Sequence, residues 1–498
     1  MYETQVDLAV VGGGPTGMLT ALLAKRLGVS VLVLDAKPQA LQLGRADALN
    51  ARSQQYFEVV GILDDLISQG IKCNTSSIFA NGNFTSRQSH WWTGLEYVLH
   101  KNFLMLGQPV VEQVLAAELK ESICFNARVE SVRETKSGVE VTTVSGRIVH
   151  STYCIASDGA RSMVRQALGI PFSGTKPEMT WAVLDTFIDS DFPRCPEIIT
   201  FELDGESRVA WIPREREMAR FYSLLDGEIT EEKAKACVKR HLAPYRVDFT
   251  KTEWFSTFEV KERIAQTFIS QDGNGRIILA GDAAHCHSVN GGQGLNTGLS
   301  DAFGLGWRMA YILKYGDKLA PGAANQILQS YDIERRQVAE SVIRVAARLV
   351  RDTKFEATQY VGNVEKNASY ITGMGVAYND LGSPAIRESE VGIWKAGRAC
   401  PDIPLIVPGT SEIQYLYKMV TYGKYLALVA GDCGGHLDNS KELVRWLRIL
   451  PKVEGLKYHL NGESASSYLT DVVKEGDNYV VVVRPDICFG TFPCQVDN

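Results

Sequence analysis

The sequence predicts an α/β protein in which a strand–turn–helix–strand unit is followed by a second, mixed sheet and then by a further α/β unit. Three observations carry that prediction. A strand, glycine turn, helix and strand succeed one another at the start, aromatic and β-branched strand patterns fill the middle, and a mixed pattern restarts towards the end. The length agrees, because 498 residues exceed one ordinary compact core and suggest about three units.

Taken in order, Val6–Val11 is a short apolar run, Gly12–Gly17 a glycine cluster, Met18–Leu27 helical in composition, and VSVLVLD from Val29 to Asp35 a second buried strand. VEVTTV and RIVHSTYCIA, on either side of Ser145 and Gly146, predict a hairpin. Strand-like stretches over Phe201–Tyr222 and Trp254–Phe268 predict the second sheet. Gly298–Tyr315 and Ala323 to about Asp352 turn helical. After a connection near 372–402 rich in glycine, proline and polar residues, YLALVA reads as strand, SKELVRWLRIL as helix and NYVVVVRP as strand.

Composition narrows the function classes. Hydrophobic residues at 45%, charged residues at 22% and a formal net charge of −6 fit a soluble globular protein and argue against a nucleic-acid partner. Apolar runs such as VDLAVV and RIILAG are too short for a membrane helix, and MYETQVDL lacks the start of a signal peptide, so the expectation is a cytoplasmic protein without a membrane partner. Ten cysteines without a CxxC pair argue against a disulfide framework, a zinc site or a dithiol centre. His285 and His287 stand two apart with no third ligand arranged for them, so no metal is expected.

VVGGGPTGM carries G-x-G-x-x-G at Gly12, Gly14 and Gly17 between a strand and a helix, and Asp35 ends the next strand. Glycines permit a tight turn and close approach of backbone to a pyrophosphate, the helix start favours its charge, and a carboxylate at the strand end can accept from ribose hydroxyls. Two later stretches extend the pattern. CIASDGARSMVRQALGI places Asp158 and Gly159 after a strand, and RIILAGDAAHCHSVNGGQGLNTG places Asp282 at a strand end with Gly291, Gly292 and Gly294 opening a helix.

These three motifs, in this order, resemble the glycine-turn, DG and GD motifs of the single-component (class A) FAD-dependent aromatic hydroxylases. WIPREREMARFY narrows the likeness: Pro213, Arg214, Glu215, Arg220 and Tyr222 match the middle domain of the phenol 2-monooxygenase and 3-hydroxybenzoate 4-hydroxylase branch. GRADALNAR resembles that branch's G-x-A-D-G segment at Gly44, Ala46 and Asp47, and GRACPDIP with VVVRPDICFG resembles its C-terminal thioredoxin-like domain.

The resemblance implies a Rossmann-type FAD-binding domain over 1–75, 101–172 and 262–352, and a substrate-binding sheet domain over 76–100 and 173–261. A connection over 353–394 and a thioredoxin-like domain over 395–498 complete the chain. FAD would be held by Gly12, Gly14, Pro15, Thr16 and Gly17, by Asp35 and Ala36, and by Asp158. Gly281 and Asp282 would take the ribityl chain, Gly294, Leu295 and Asn296 the pyrimidine edge, and Arg45 and Gln108 the sides of the flavin. NADPH or NADH binds only transiently in such a family, consistent with the lack of a second dinucleotide turn.

The implied chemistry is hydroxylation of a phenolic substrate with dioxygen through a flavin hydroperoxide. Asp47 becomes the candidate base, Tyr222 a partner for the phenolate oxygen, and Arg214 a charge that positions flavin or substrate. The residues alone leave open a structural pairing of Asp47 with Arg45 or Arg52, a salt-bridge role for Arg214 and a core role for Tyr222. Trp91, Trp92, Trp181 and Trp211 stand equally as candidate pocket walls or core. Arg45 replaces a glutamine frequent in the branch, and Ser288 and Val289 stand where the family has prolines. The tail lacks a thioredoxin dithiol, because Cys433 is isolated and Cys488 and Cys494 are widely spaced; a structural role, such as a homodimer interface, is expected. Another flavin oxidoreductase, or a catalytically silent FAD-binding sensor or scaffold, are the competing readings; a disulfide reductase would need a second nucleotide domain and a cysteine pair.

Overall fold

The computed structural model describes residues 3–90, 92, 95–193, 196–288, 292–352, 362, 365–431, 442–452 and 466–490. Trp91, Val289, Gly291, Cys433 and Cys494 lie outside them.

The first sheet runs in the order Ile123–Cys124, Val31–Leu34, Glu3–Val11, Ile148–Ala156, Val139–Thr143 and Val129–Glu134, with Ile277–Leu279 also paired to Ile148–Ala156. Glu3–Val11 is parallel to both neighbours. Its inner half and Val31–Leu34 are buried throughout, which is why both read as unbroken apolar runs and not as alternating strands. The predicted hairpin is present as the antiparallel pair Val139–Thr143 and Ile148–Ala156. Helix Pro15–Arg26 crosses close to helix Gln293–Tyr315, and a Cβ on Gly306 would come within 2.5 Å of the Leu23 Cβ. The two helices that carry the cofactor motifs at their starts therefore lie side by side.

The second sheet has the order Val247–Glu259, Thr180–Ser190, Ala219–Leu224, Glu206–Pro213, Ile198–Leu203, Thr75–Ala80 and Asn83–His90. Neighbours are antiparallel except Ile198–Leu203 with Thr75–Ala80. One face buries Phe79, Phe192, Phe201, Trp211 and Phe221 beneath helix Glu231–Leu242. Trp211 is thus core, and Trp181 packs on Leu224 and Val260. Trp92 sits in a separate cluster with Ala48, Ala51, Phe103 and Met105, next to the Asp47 segment.

The tail sheet has the order Ile413–Tyr415, Pro404–Ile406, Ser466–Thr470, Val444–Pro451, Tyr425–Ala430 and Tyr479–Val483. Here one expectation is corrected: Val444–Pro451, expected as part of a helix, is a strand, parallel to both Tyr425–Ala430 and Ser466–Thr470. A short run of mixed leucine, isoleucine and arginine does not distinguish helix from central strand by period, and pairing on both sides decides it. Ser440 and Lys441, at the start of that expected helix, lie outside the described residues.

The tail is tied to the first unit through buried charge. Arg484 donates to both Glu334 oxygens at 2.7 and 2.8 Å and to Asp486, and Arg308 donates to Glu334 at 2.8 Å. Charges this deep are costly unless paired or fully hydrogen-bonded. No helix among the described residues is long and apolar enough to cross a membrane.

Asp402 contributes a pH dependence. Burial pushes its carboxyl up to about 7; the Tyr417 N–H donated to it at 2.9 Å, together with His100 and Lys418, opposes that, while Glu58 adds to it. Protonated Asp402 is favoured in the folded chain, so its contribution is fully present below the unfolded value near 4 and is lost as pH rises through 7. Asp402→Asn is expected to raise the unfolding temperature at pH 8 and to change it little at pH 5, as read by thermal melts at the two pH values.

Candidate functional site

The glycine turn is shaped by two kinds of glycine. Gly12 has φ +104°, and a Cβ there would press on the Asp158 amide at 2.9 Å, while a Cβ on Gly17 would overlap the Gly12 carbonyl oxygen. These two close the turn against its neighbours. Gly14 and Gly159 differ: a Cβ on either would meet nothing within 4 Å. Gly14 is also the N-cap of helix Pro15–Arg26 with no side-chain cap, and Pro15 starts the helix. A helix start leaves its first amides without an intrahelical partner, and here it opens on free space at Gly14, the arrangement that suits a phosphate. Thr16 packs beneath Gly281 and Gly298, joining this turn to the GD segment.

Asp35 is buried, accepts from the Gly13 and Lys37 amides, and lies beside exposed Ala36. Asp158 accepts from the Val164 amide at 3.1 Å through Oδ2, and its Oδ1 is buried with no hydrogen-bond partner among the described residues. Asp282 is reached by solvent, yet protein surrounds it closely enough that desolvation raises its carboxyl, against the pull of His285 and Arg45. A carboxylate so placed points into a cleft. Arg45 shares that cleft: it is exposed, held at φ +67°, and close enough to Asp282 to bias its charge.

Helix Gln293–Tyr315 starts at Gly292, which is left-handed and offers no side-chain cap. The amides of Gly294 and Leu295 fall in its first turn, beyond the reach of any carbonyl of the helix. The Asn296 side chain is committed elsewhere: its oxygen accepts from the Asn50 amide at 2.9 Å and the Ser53 hydroxyl at 2.7 Å, and its nitrogen donates to the Ala48 carbonyl at 3.0 Å. The Asn296 side chain is thus a clamp between this helix and the Asp47 segment, and its place in the first turn is unaffected.

Asp47 lies at the meeting point of the first two sheets. Its backbone carbonyl accepts from the Leu106 amide at 2.9 Å, and its carboxylate accepts from the Tyr222 hydroxyl at 3.3 Å and lies 3.3 Å from an Arg220 nitrogen. Arg220, not Arg45 or Arg52, is its ion-pair partner among the described residues. Burial, then Asp47, push the Tyr222 phenol well above its usual value, so Tyr222 rests as the neutral donor. Arg220 is fully buried, donates to both Asp185 oxygens at 2.6 Å and also to the Arg45 carbonyl.

Arg214 stands behind this group. It donates to both Glu215 oxygens at 2.7 and 2.8 Å and to Asp185 at 3.3 Å. Its charge is matched by Glu215 and Asp185, and through Asp185 it is joined to Arg220. Gln108 donates to Glu112 at 2.9 Å, and its amide donates to the Ala46 carbonyl at 2.9 Å, which pins the loop that presents Arg45.

Residues 4–346 match the model of the FAD binding domain family, FAD_binding_3. The chain belongs to this family of FAD-dependent monooxygenases. It is 30% identical over 487 residues to the FAD-dependent monooxygenase ankC of Aspergillus thermomutatus, covering 88% of this chain and 80% of that one. It is 29% identical over 371 residues to the phenol 2-monooxygenase fsqG of Aspergillus fumigatus, covering 68% of this chain and 59% of that one. It thus spans about three fifths of fsqG and four fifths of ankC. A crystal structure of aklavinone-11 hydroxylase in a ternary complex with FAD and aklavinone shares the fold, with TM-score 0.76 at 22% identity over 99% of this chain and 96% of the other.

The cleft fits FAD on this chain's own geometry. Open space before Gly14 and Gly159 and a helix start without a side-chain cap would suit the pyrophosphate, the Asp282 carboxylate would suit ribityl hydroxyls, and the first-turn amides of Gly294 and Leu295 would suit the pyrimidine edge. Sequence reading missed Asp301, the hub behind this FAD cradle. Asp301 is fully buried and accepts from the Gly281 amide at 3.0 Å, from His285 at 2.7 Å and from Arg335 at 2.7 Å. Burial pushes its carboxyl up, but His285 and Arg335 outweigh that and hold it below its usual value. The one available signal was an aspartate inside the apolar run GLSDAFGLGW.

Proposed function

We propose that this chain hydroxylates a phenolic substrate, using dioxygen and a nicotinamide nucleotide, with Asp47, Tyr222 and Arg220 preparing the ring. The contact that carries the reading is the part-buried Tyr222 hydroxyl aimed at Asp47 beside Arg220, where Asp47 lies on the same segment as Arg45, close to Asp282. Reduced by NADPH or NADH, bound FAD supplies an electrophilic oxygen derived from dioxygen, and an electron-rich ring is what such an oxygen attacks.

The chain's own residues make the ring electron-rich. Tyr222 spends its proton on Asp47, so its oxygen can accept from a phenol, and the two protons can shift together, phenol to Tyr222 and Tyr222 to Asp47. A phenol near pKa 10 and a carboxylate near 4 differ by about 8 kcal/mol for full transfer at rest. The network therefore polarises the O–H in the ground state and completes transfer only as charge is drawn into the ring. Arg220 offsets the Asp47 charge at rest, faces the negative charge left on the phenolate once the proton has moved, and, through Asp185, fixes the strand that bears Tyr222.

The same reading assigns the first unit to residues 1–75, 101–172 and 262–352 and the substrate sheet to 76–100 and 173–261. A thioredoxin-like tail follows over 395–498, and the protein acts in the cytoplasm. Aerobic oxidation of NADPH and NADH by the FAD-loaded protein, across a panel of phenols under isotopically labelled dioxygen, tests it. Phenol-accelerated oxidation with label in a hydroxylated product is expected. Nucleotide oxidation that ignores phenols, with no labelled product, defeats the reading.

A further inference from the structure

The GRADALNAR segment ends on a second arginine whose setting none of the chemistry above uses. Arg52 is 3% exposed, at the start of helix Ala51–Val60, and among the described residues it has no carboxylate within ion-pair distance. Neutral acceptors surround it instead. Nε donates to the Tyr56 hydroxyl at 3.1 Å, Nη1 to the Tyr417 hydroxyl at 3.0 Å, and Nη2 to the carbonyls of Asp486 at 3.1 Å and Ile487 at 2.9 Å. Three of these four partners belong to the tail.

The tail turn that receives Arg52 is held in a costly shape. Ile487 is β-branched and sits at φ +59°, a region such side chains avoid. Its carbonyl also accepts from the Cys400 amide at 3.0 Å, and its amide donates to the Arg484 carbonyl at 2.9 Å. Arg484 is itself locked to Glu334. A strained turn persists where its surroundings over-determine it, and here the arginine beside the substrate segment is one of the determinants.

At the other end Arg52 is one turn from everything that sets the site. Its amide donates to the Thr372 carbonyl at 3.1 Å, and a Cβ on Gly373 would come within 2.7 Å of the Arg52 Cβ. Asn50, the cap of the same helix, accepts from Ser53 at 2.9 Å, donates to the Ile371 carbonyl at 3.1 Å, and through its amide holds Asn296. Asp47 lies three residues before Asn50.

We propose that Arg52 is a positioning residue through which the tail turn 484–488 sets the register of Asp47 and of the Gly294–Asn296 helix start. The tail is then part of the hydroxylation machinery, though it touches neither substrate nor flavin. The inference rests on the reading that Asp47 faces the substrate, and the FAD readout below does not. Arg52 ties the start of this short helix to Tyr56 one turn on and to the tail turn, and removing its fork frees that start to shift against Asn296.

The test uses full-length holoenzyme with Arg52→Lys and, further from the site, Tyr417→Phe. Lysine keeps the charge but cannot reach three acceptors in a plane. Both variants are compared with wild type at a temperature where melts show them folded. Hydroxylated product per NADPH oxidised is expected to fall about tenfold in Arg52→Lys and by a smaller factor in Tyr417→Phe, with KM little changed. FAD affinity, read by fluorescence titration, is expected to weaken in the same order. Guanidinium ion added to Arg52→Ala is expected to restore part of both. A purely structural role would lower the melting temperature and leave coupling and FAD affinity of the folded protein intact, and that result would overturn the inference. If wild type hydroxylates no phenol, the proposed function fails and the FAD titration alone decides for or against Arg52.

Discussion

Asp47→Asn is expected to lower hydroxylation by about 10²–10⁴-fold while leaving FAD bound, because the amide keeps the shape of the carboxylate but cannot take a proton. Tyr222 can still donate to the amide oxygen, and Arg220 keeps both Asp185 contacts, so the fold should tolerate the change. The loss falls on the step that enriches the ring. A phenol acidified by fluorine, already ionised at the assay pH, needs no base, and the deficit should shrink with it. Steady-state product formation across substrates of graded acidity measures this directly. Equal rates for wild type and variant on every phenol would make Asp47 a structural residue and remove the chemical basis of the proposed function.

The parts legible in the sequence were local ones. Gly12, Gly14 and Gly17 encode a turn through their own backbone freedom, the strand that follows is apolar because it is buried on both faces, and the hairpin around Ser145 follows from its turn residues. Asp47 and Tyr222 are another matter. They are 175 residues apart, and no period or spacing brings them together; only the family likeness suggested it. Asp185 and Arg220 did leave a signal, since each interrupts an apolar strand, WAVLDTFI and MARFY, and such a charge needs a buried partner. The partner's identity depended on the strand register, which pairs the two directly. Asp301 left a similar signal inside GLSDAFGLGW, whereas Arg52 was silent, because a charged residue on a helix looks solvated until another element covers it. Val444–Pro451 was misread because a central parallel strand and a buried helix share a composition.

Arg220→Met is expected to cost stability and activity together, on the order of 3–5 kcal/mol for the first, because it leaves two buried carboxylates facing a thioether. Asp185 would keep only Arg214, at 3.3 Å, and Asp47 would lose its ion-pair partner. Lysine at this position keeps the charge without the paired contact to Asp185, so Arg220→Lys should fall between wild type and Met. Urea unfolding of the holoenzyme ranks the three. A second substitution separates the two roles of Arg220. Adding Asp185→Leu removes one stranded charge and should recover part of the lost stability, since a buried pair replaced by apolar groups is often close to neutral. It should recover no hydroxylation, because the site would still lack the guanidinium that pairs with Asp47 and donates towards the Tyr222 oxygen, where it offsets the negative charge left on the phenolate. If the double variant regained both, Arg220 would serve the sheet alone, and Asp47 would work without it.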